Sequence, residues 1–194
     1  MKDFISFFIC VLLVTIIYIY FENKVKEVEY IVSSRDGKKY LVQNQKDKLE
    51  AADLLSTIKD NLVKLMKEVD IEGNNKKAVD RMKNNFNPNN ITESSQNSKY
   101  TSYSINKGEK MVFCLRSRDE NNNLEELNTL MFVAIHELAH TMTKSIGHTE
   151  EFWNNFRYLL KNARKMGIYK RVNYNKTPKR YCGMDITDDP ENFS

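Results

Sequence analysis

The sequence predicts an α+β fold in which a small mixed or antiparallel sheet packs on a buried helix, preceded by one transmembrane helix. Three observations predict this class. Short alternating segments rich in β-branched residues, joined by turn residues, predict strands. A segment around residue 130 is apolar nearly all round, which is typical of a buried helix. An uncharged apolar run near the N-terminus predicts a membrane helix.

The composition is that of a globular domain with few cysteines and histidines. The 194 residues are 29% charged, close to an average globular protein, which excludes wholesale disorder. The net charge of +4 is small and both signs are mixed, so a nucleic-acid partner is not favoured, although it is not excluded. Cys10 lies in the apolar run, and we expect Cys114 and Cys182 to be free thiols because a disulfide-stapled domain carries more cysteines.

Residues 4–21 form the predicted membrane anchor. They contain no charge, and a helix of eighteen residues extends about 27 Å, close to the thickness of a bilayer's hydrocarbon core. A cleaved signal peptide and a buried helix are the alternatives, but the run is long for a signal peptide and no cleavage motif follows. More Lys and Arg follow the run than precede it, so we expect a single-pass membrane protein with a cytosolic domain.

The segment after the anchor contains a predicted hairpin and two predicted helices. Residues 27–34 and 39–44 alternate in polarity and are separated by an Asp-Gly turn signal, which predicts a β-hairpin. Apolar residues recur at helical spacing over 47–69. A shorter helix is expected at about 76–85, within a stretch rich in Asn and Ser that otherwise reads as loop.

The C-terminal half contains two more predicted strands and two predicted helices. The strands are expected at 100–105 and 110–116. The first helix is the all-round apolar one, predicted over 124–144 with Asn123 as its N-cap. The second is predicted over about 149–166. Its aromatic residues Phe152, Trp153 and Phe156 have helical spacing, which favours a role in the core over a substrate platform.

The chain is thus divided into three parts. Residues 1–22 are the anchor, 23–99 are a hairpin with a helical lead-in, and 100–194 are the core with a C-terminal tail. We expect residues 23–194 to form one compact unit, because a single domain commonly holds roughly 100–200 residues.

All three histidines of the chain lie within thirteen residues, and two of them form an HExxH motif with a glutamate. His136 and His140 are four residues apart, so on a helix their imidazoles share one face and can bind one zinc ion. Glu137 is offset by about 100° and can reach a water beside the metal. Two histidines and a glutamate in so apolar a helix would face a desolvation cost if they had no polar partners. This favours a metal site over histidines that merely pack in the core.

A third metal ligand must come from outside the helix. His148 is the candidate, because the helix has to end after His140 and Gly147 suits the turn that brings the chain back. Glu150 and Glu151 are the alternatives. The sequence therefore predicts a zinc site formed by His136, His140 and His148.

The motif resembles the WLM family of zinc metalloproteases and, less closely, the SprT-like group. The likeness rests on HELAH, the third histidine and the Glu-Phe-Trp that follows it, and extends over about residues 100–166. It implies a zincin-like fold, Zn²⁺ as cofactor, His136, His140 and His148 as its ligands, and Glu137 as catalytic acid and base. A large DNA virus is an expected source, which suits the abundance of Lys and Asn.

Two functions follow from these observations. The first is a membrane-anchored zinc metallopeptidase that cleaves protein or peptide substrates through a zinc-activated water, with Glu137 as general base. The strand at 110–116 would pair with an extended substrate, and Tyr169, Tyr174 or Tyr181 would stabilise the oxyanion. The alternative is a membrane-tethered zinc-binding scaffold without hydrolase activity, in which Cys182 would complete a closed, four-ligand site.

Overall fold

Five helices and seven short strands make up the part of the chain that the computed structural model describes, which is residues 2–24, 27–70 and 75–192. The helices are α1 (Lys2–Lys24), α2 (Lys48–Glu68), α3 (Lys76–Asn85), α4 (Leu127–Met142) and α5 (Glu150–Lys165). The strands are β1 (Val28–Val32), β2 (Lys39–Gln43), β3 (Ile91–Glu93), β4 (Tyr103–Ile105), β5 (Lys110–Phe113), β6 (Lys179–Tyr181) and β7 (Met184–Ile186). The predicted α+β class is confirmed.

The elements with the strongest local patterns form where the sequence predicts them. β1 and β2 pair antiparallel, and Gly37 in their turn has a φ of 69°, a conformation that favours glycine. α2, α3 and α5 agree with their predicted ranges to within one or two residues. Thr149 caps α5, because its side chain accepts a hydrogen bond from the backbone N–H of Phe152.

The largest sheet has three strands in the order β3-β5-β4. β4 pairs antiparallel with β5, as the sequence predicts, while β3 pairs with β5 in parallel. Strand β3 lies in the Asn-rich stretch predicted to be loop. Tertiary contacts hold it there: the buried carboxylate of Glu93 accepts hydrogen bonds from the Arg116 side chain at 2.9 Å and from the Gln43 backbone N–H at 2.6 Å.

The central helix α4 starts later than predicted. The chain stays extended at Leu124, which forms a β-bridge with Arg116, and the backbone N–H of Glu125 donates to the carbonyl of Leu115 at 2.8 Å. Pairing with the end of the sheet therefore takes these residues out of the helix, whose N-cap is Glu126 and not Asn123. The prediction of a buried helix is confirmed, because every apolar residue from Leu130 to Met142 except Val133 is buried.

One hydrophobic cluster, from Tyr40 to Ile186, surrounds α4. Helices α2, α3 and α5 contact α4 directly. The buried faces of these helices consist of aliphatic and aromatic side chains, so burial of apolar surface is the main stabilising term around the helix that carries the HExxH motif.

The C-terminal tail forms a hairpin, β6–β7, that the sequence did not predict, and a disulfide fastens it to the sheet. Cys114 at the end of β5 is bonded to Cys182 in the hairpin turn, so the expectation of free thiols is wrong. Both side chains are buried, and the Tyr181 hydroxyl donates to the carbonyl of Cys114 at 2.8 Å. The fold places the two cysteines next to each other although 68 residues separate them in sequence.

The N-terminal segment forms helix α1, but the prediction of a single-pass membrane protein anchored through residues 4–21 is wrong. None of the helices in the described ranges combines the length and the apolar character needed to cross a bilayer.

Candidate metal centre

Helix α4 presents His136 and His140 on one face. The Nε2 atoms of the two imidazoles lie 3.2 Å apart, one helical turn from each other. Both rings are half-buried, because α5 packs against the same face of α4. The ring of Phe152 on α5 stacks on His140 with the ring centroids 4.3 Å apart. The ring of Phe156 meets His136 edge-on at 5.2 Å. These contacts hold both imidazoles in fixed orientations.

His148 joins the pair from the loop between α4 and α5. Its Nε2 lies 3.1 Å from Nε2 of His136, and the potential ligand atoms of the three histidines all lie within 4.8 Å of one another. Gly147 has a φ of 80°, the conformation expected of the residue that turns the chain back. The structure therefore brings together the three histidines that the sequence singled out.

The spacing of the nitrogens suits a tetrahedral metal ion. Two ligands at 2.0–2.1 Å from a tetrahedral zinc lie roughly 3.3 Å apart. The separations of 3.2 Å and 3.1 Å from His136 to its two neighbours are close to this value. Among the residues that the structure describes, no Cys, Asp or Glu joins the group. The group can thus hold a metal ion with one coordination position left open.

The electrostatic environment keeps the helix-borne imidazoles neutral. Burial, followed by the charges of His140 and His148, lowers the pKa of His136 to about 3. Burial, followed by the charges of His148 and Lys107, lowers the pKa of His140 to about 4. A metal ligand must be unprotonated, so at neutral pH both imidazoles are in the form that binds a metal.

Glu137 is buried beside the histidines. Burial raises the pKa of its carboxyl group to about 7, although the backbone N–H of Ser104 on β4 donates a hydrogen bond to it. This hydrogen bond also shows that the outer edge of β4 faces the site. A divalent cation nearby would favour the ionised carboxylate, which is the form that accepts a proton.

The other predicted ligands and the cysteines are used elsewhere. Glu151 accepts hydrogen bonds from the loop backbone at Lys144 and Ser145, at 3.0 Å and 3.2 Å, and Glu150 is exposed at the start of α5. Cys182 is bonded to Cys114 and has no thiol to offer. The three histidines are therefore the ligand set that the described structure favours.

A cleft of about 570 Å³ lies over the histidines. Its walls come from residues 101–104, the loop 146–148, α5 and the strand β7. Part of the wall is apolar and is formed by Phe132, Val133, Trp153, Phe156 and Ile186. Phe152 and Phe156 are core residues, as predicted, whereas Trp153 is only half-buried and lines the cleft.

The three tyrosines considered as oxyanion stabilisers lie in different places. Tyr169 and Tyr174 pack against the ring of Phe132, at 6.0 Å and 4.8 Å between ring centroids. Tyr181 lines the cleft, but its hydroxyl donates to the Cys114 carbonyl and contacts the Ser102 hydroxyl at 2.7 Å. Each of the three therefore has a packing role, which is the more common role for a tyrosine.

Sequence reasoning missed the strand edge that borders the site. It placed substrate pairing on residues 110–116, but β5 lies between β3 and β4 and has no open side. The outer strand is β4, and residues 101–104 line the cleft. The turn Asn106-Lys107-Gly108 is a sequence signal that β4 pairs with β5. In the structure β4 has no strand on its other side, so it is the edge strand of this sheet.

No family model matches the chain, but proteins of viruses are similar to it. Uncharacterized protein R325 of Acanthamoeba polyphaga mimivirus is 33% identical over 196 residues, which cover 97% of this chain and 98% of R325. Uncharacterized protein 136R of Invertebrate iridescent virus 6 is 35% identical over 83 residues, which cover 42% of this chain and 44% of 136R. These relatives support the expected viral origin.

A solved structure is similar in fold. The crystal structure of Wss1 from Saccharomyces cerevisiae superposes with a TM-score of 0.50 and 21% sequence identity. The similar region covers 65% of this chain and 88% of Wss1. At this identity the likeness concerns the arrangement of helices and strands.

Proposed function

This chain belongs to the family of mimivirus protein R325, and from the geometry of its three histidines we propose that it is a zinc-dependent metallopeptidase. The observation that carries the proposal is the convergence of His136, His140 and His148 beside a buried glutamate at the floor of a cleft. The resemblance of the motif to the WLM family and the Wss1-like fold support the same activity.

Zinc suits this site better than calcium or magnesium. Three imidazoles are a ligand set that zinc accepts, and the two nitrogen separations from His136 fit tetrahedral geometry. Calcium and magnesium prefer oxygen ligands, which the group does not offer. When bound, zinc would supply a Lewis acid that polarises the substrate carbonyl and lowers the pKa of water to about 7.

Glu137 moves the proton in the proposed reaction. Its carboxylate takes a proton from the attacking water as general base and then passes it to the nitrogen of the leaving amine as general acid. Burial favours the protonated form of this group, which delivers a proton, whereas a nearby divalent cation would favour the ionised form, which takes one up. The Ser104 N–H keeps the carboxylate oriented toward the cleft.

The substrate is proposed to bind as an extended strand along β4. Since β5 occupies only one side of β4, the other side offers backbone groups to a peptide in the cleft. Ser104, the central residue of β4, directs its N–H to Glu137, so a peptide paired along this edge would pass next to the proposed general base. A protein or peptide substrate fits this geometry.

The alternative of a zinc-binding scaffold has less support. A structural zinc site is usually closed by four protein ligands. The cysteine that could have supplied the fourth is in a disulfide, and among the described residues the histidine group has three members. The open position and the cleft above it are features that catalysis requires and a structural site does not.

The proposal is tested by comparing wild type with Glu137→Gln. We expect both proteins to retain about one zinc per chain, because Glu137 is not a ligand. Cleavage of an unstructured protein such as casein should fall by at least ~100-fold in Glu137→Gln, since the general base is lost.

The matched control is Glu150→Gln, which removes a carboxylate from the exposed start of α5 near the site. It should cleave as fast as wild type and keep its zinc. Equal cleavage by wild type and Glu137→Gln would exclude the peptidase mechanism, and absence of zinc from wild type would exclude the metal site itself.

A further inference from the structure

The loop that carries His148 has little packing of its own. Residues 144 and 146–149 are exposed, and Ile146 has 90% of its surface accessible. Exposed loops usually sample several conformations, which would scatter the position of a metal ligand. Contacts from outside the loop must therefore fix it.

Lys107 satisfies the carbonyl groups of this loop. Its ammonium group donates to the carbonyl of Ser145 at 2.6 Å, to that of Thr143 at 2.9 Å and, more weakly, to that of Lys144 at 3.4 Å. An ammonium group has three N–H donors, and each of them has an acceptor here. Since α4 ends at Met142, these are the carbonyls that lead directly out of the helix.

The turn that carries Lys107 is fixed against two helices. Asn106, Lys107 and Gly108 all have positive φ values, of 47°, 57° and 119°. A Cβ at Gly108 would lie 2.8 Å from a side-chain carbon of Thr141 on α4 and 2.9 Å from the carbonyl oxygen of Asn85 on α3. The turn therefore packs against a side chain of α4 and the backbone at the end of α3, and Lys107 extends from a well-defined base.

Glu151 satisfies the N–H groups of the same loop. Its carboxylate accepts hydrogen bonds from the backbone N–H groups of Lys144 at 3.0 Å and Ser145 at 3.2 Å, and from the Ser145 hydroxyl at 3.1 Å. Glu151 lies in the first turn of α5, so it ties the loop to the helix that follows. Lys107 and Glu151 thus bind opposite polar groups of one short backbone segment.

We propose that Lys107 and Glu151 are positioning residues that hold loop residues 143–145 from both sides and thereby place His148 for metal binding. The proposal rests on the proposed zinc site. Neither residue is a ligand, and both act through the backbone of the loop that carries the ligand. Side chains that orient a metal ligand in this way commonly change metal affinity by 10–100-fold when they are removed.

The charge of Lys107 allows a positioning role to be distinguished from a purely electrostatic one. Lys107 lines the cleft near the histidines. Its positive charge therefore opposes the binding of a zinc ion by electrostatic repulsion. If charge were its only effect, removing it would strengthen zinc binding. If it positions His148, removing it would weaken zinc binding. The two roles predict opposite signs.

The test is the zinc dissociation constant of Lys107→Met, measured by competition with a chromophoric chelator. We expect zinc binding to be about 10- to 100-fold weaker than in wild type. Unchanged or tighter binding would overturn the proposal. The control is Lys144→Met, which removes the same charge from an exposed position in the same loop and should leave the dissociation constant unchanged.

Two further variants separate positioning from a general loss of stability. Glu151→Ala removes the other contact and should also weaken zinc binding, while the metal-free protein should still unfold in one cooperative transition, because Glu151 lies at the surface and outside the hydrophobic cluster. In a His148→Ala background, Lys107→Met should no longer weaken zinc binding, because no third ligand is left to position. If Lys107→Met weakened zinc binding by the same factor with and without His148, the proposal would be contradicted. If Lys107→Met does not fold, Glu151→Ala decides the question.

Failure of this inference differs from failure of the proposed function. A wild type that binds no zinc removes the premise of both. A wild type that binds zinc and cleaves peptide, with Lys107→Met and Glu151→Ala showing wild-type zinc affinity, refutes only the positioning role.

Discussion

The proposed metal centre has two halves that are built in different ways. The helix half consists of His136, Glu137 and His140 on α4, with core side chains on both sides of them. The loop half is residues 143–149, which carry His148 at an exposed position. Hydrophobic packing fixes the helix half, whereas hydrogen bonds from other elements fix the loop half.

This difference teaches which parts of a site follow from local sequence. Helical periodicity alone places two imidazoles on one face four residues apart. The third ligand depends on a loop whose backbone is held by Lys107, 36 to 38 residues earlier in the chain, and by Glu151 from the next helix. A change of side-chain volume should therefore affect the first half most, and a change of polar contacts the second.

The largest difference should appear in stability after truncation of one aliphatic side chain in each half. Leu138 on α4 is fully buried, so Leu138→Ala should lower the free energy of unfolding by about 2–5 kcal/mol. Ile146 in the loop is 90% exposed, so Ile146→Ala should change it by less than about 0.5 kcal/mol. Urea unfolding of the metal-free proteins measures both, and equal losses would mean that the loop is packed as tightly as the helix.

A smaller effect is expected from acid titration of the loop half. Hydrogen bonds from the backbone N–H groups of Lys144 and Ser145 hold the pKa of Glu151 below its usual value of 4.5. Because the pKa is lower in the folded state, this contact stabilises the protein at pH values above 4.5 and is lost as the pH falls through the lowered pKa.

The titration is visible in the amide resonances of residues 144 and 145 in the metal-free protein. They should shift with a midpoint below 4.5, and Glu151→Gln should abolish the shift. A midpoint above 4.5 would show that the carboxylate does not accept these hydrogen bonds.

Much of the fold around the site could be predicted from the sequence. α2, α3, α5 and the β1–β2 hairpin have local signals, namely apolar periodicity, capping residues and an Asp-Gly turn, and the structure agrees with them. His136, Glu137 and His140 were found through their spacing on a helix. His148 was found because the chain has one further histidine near them.

The elements that were missed depend on partners that are distant in sequence. β3 is a three-residue strand in an Asn-rich stretch, and it exists because β5 and the Glu93–Arg116 ion pair hold it. The hairpin β6–β7 has little periodicity and is attached through a disulfide whose cysteines are 68 residues apart. No local pattern in the sequence records such contacts.

Apolar character alone also failed to predict what surrounds a helix. Both α1 and α4 are rich in apolar residues, and the sequence predicted burial for both, in a membrane for α1 and in the core for α4. The core prediction is confirmed, since Leu130 and Leu138 are fully buried. The membrane prediction is wrong, since none of the described helices has the length and apolar character needed to cross a bilayer. The pattern of α4 succeeded because amphipathic neighbours in the same chain cover it.

The most direct test of the metal centre is X-ray absorption at the zinc edge of the zinc-loaded wild-type protein. We predict a four-coordinate zinc with three imidazole nitrogens and one light ligand from solvent, all at about 2.0–2.1 Å. A sulfur ligand at about 2.3 Å would mean that a cysteine leaves the disulfide to close the site. Either that result or fewer than three imidazoles would contradict the joining of the helix half and the loop half in one open zinc site.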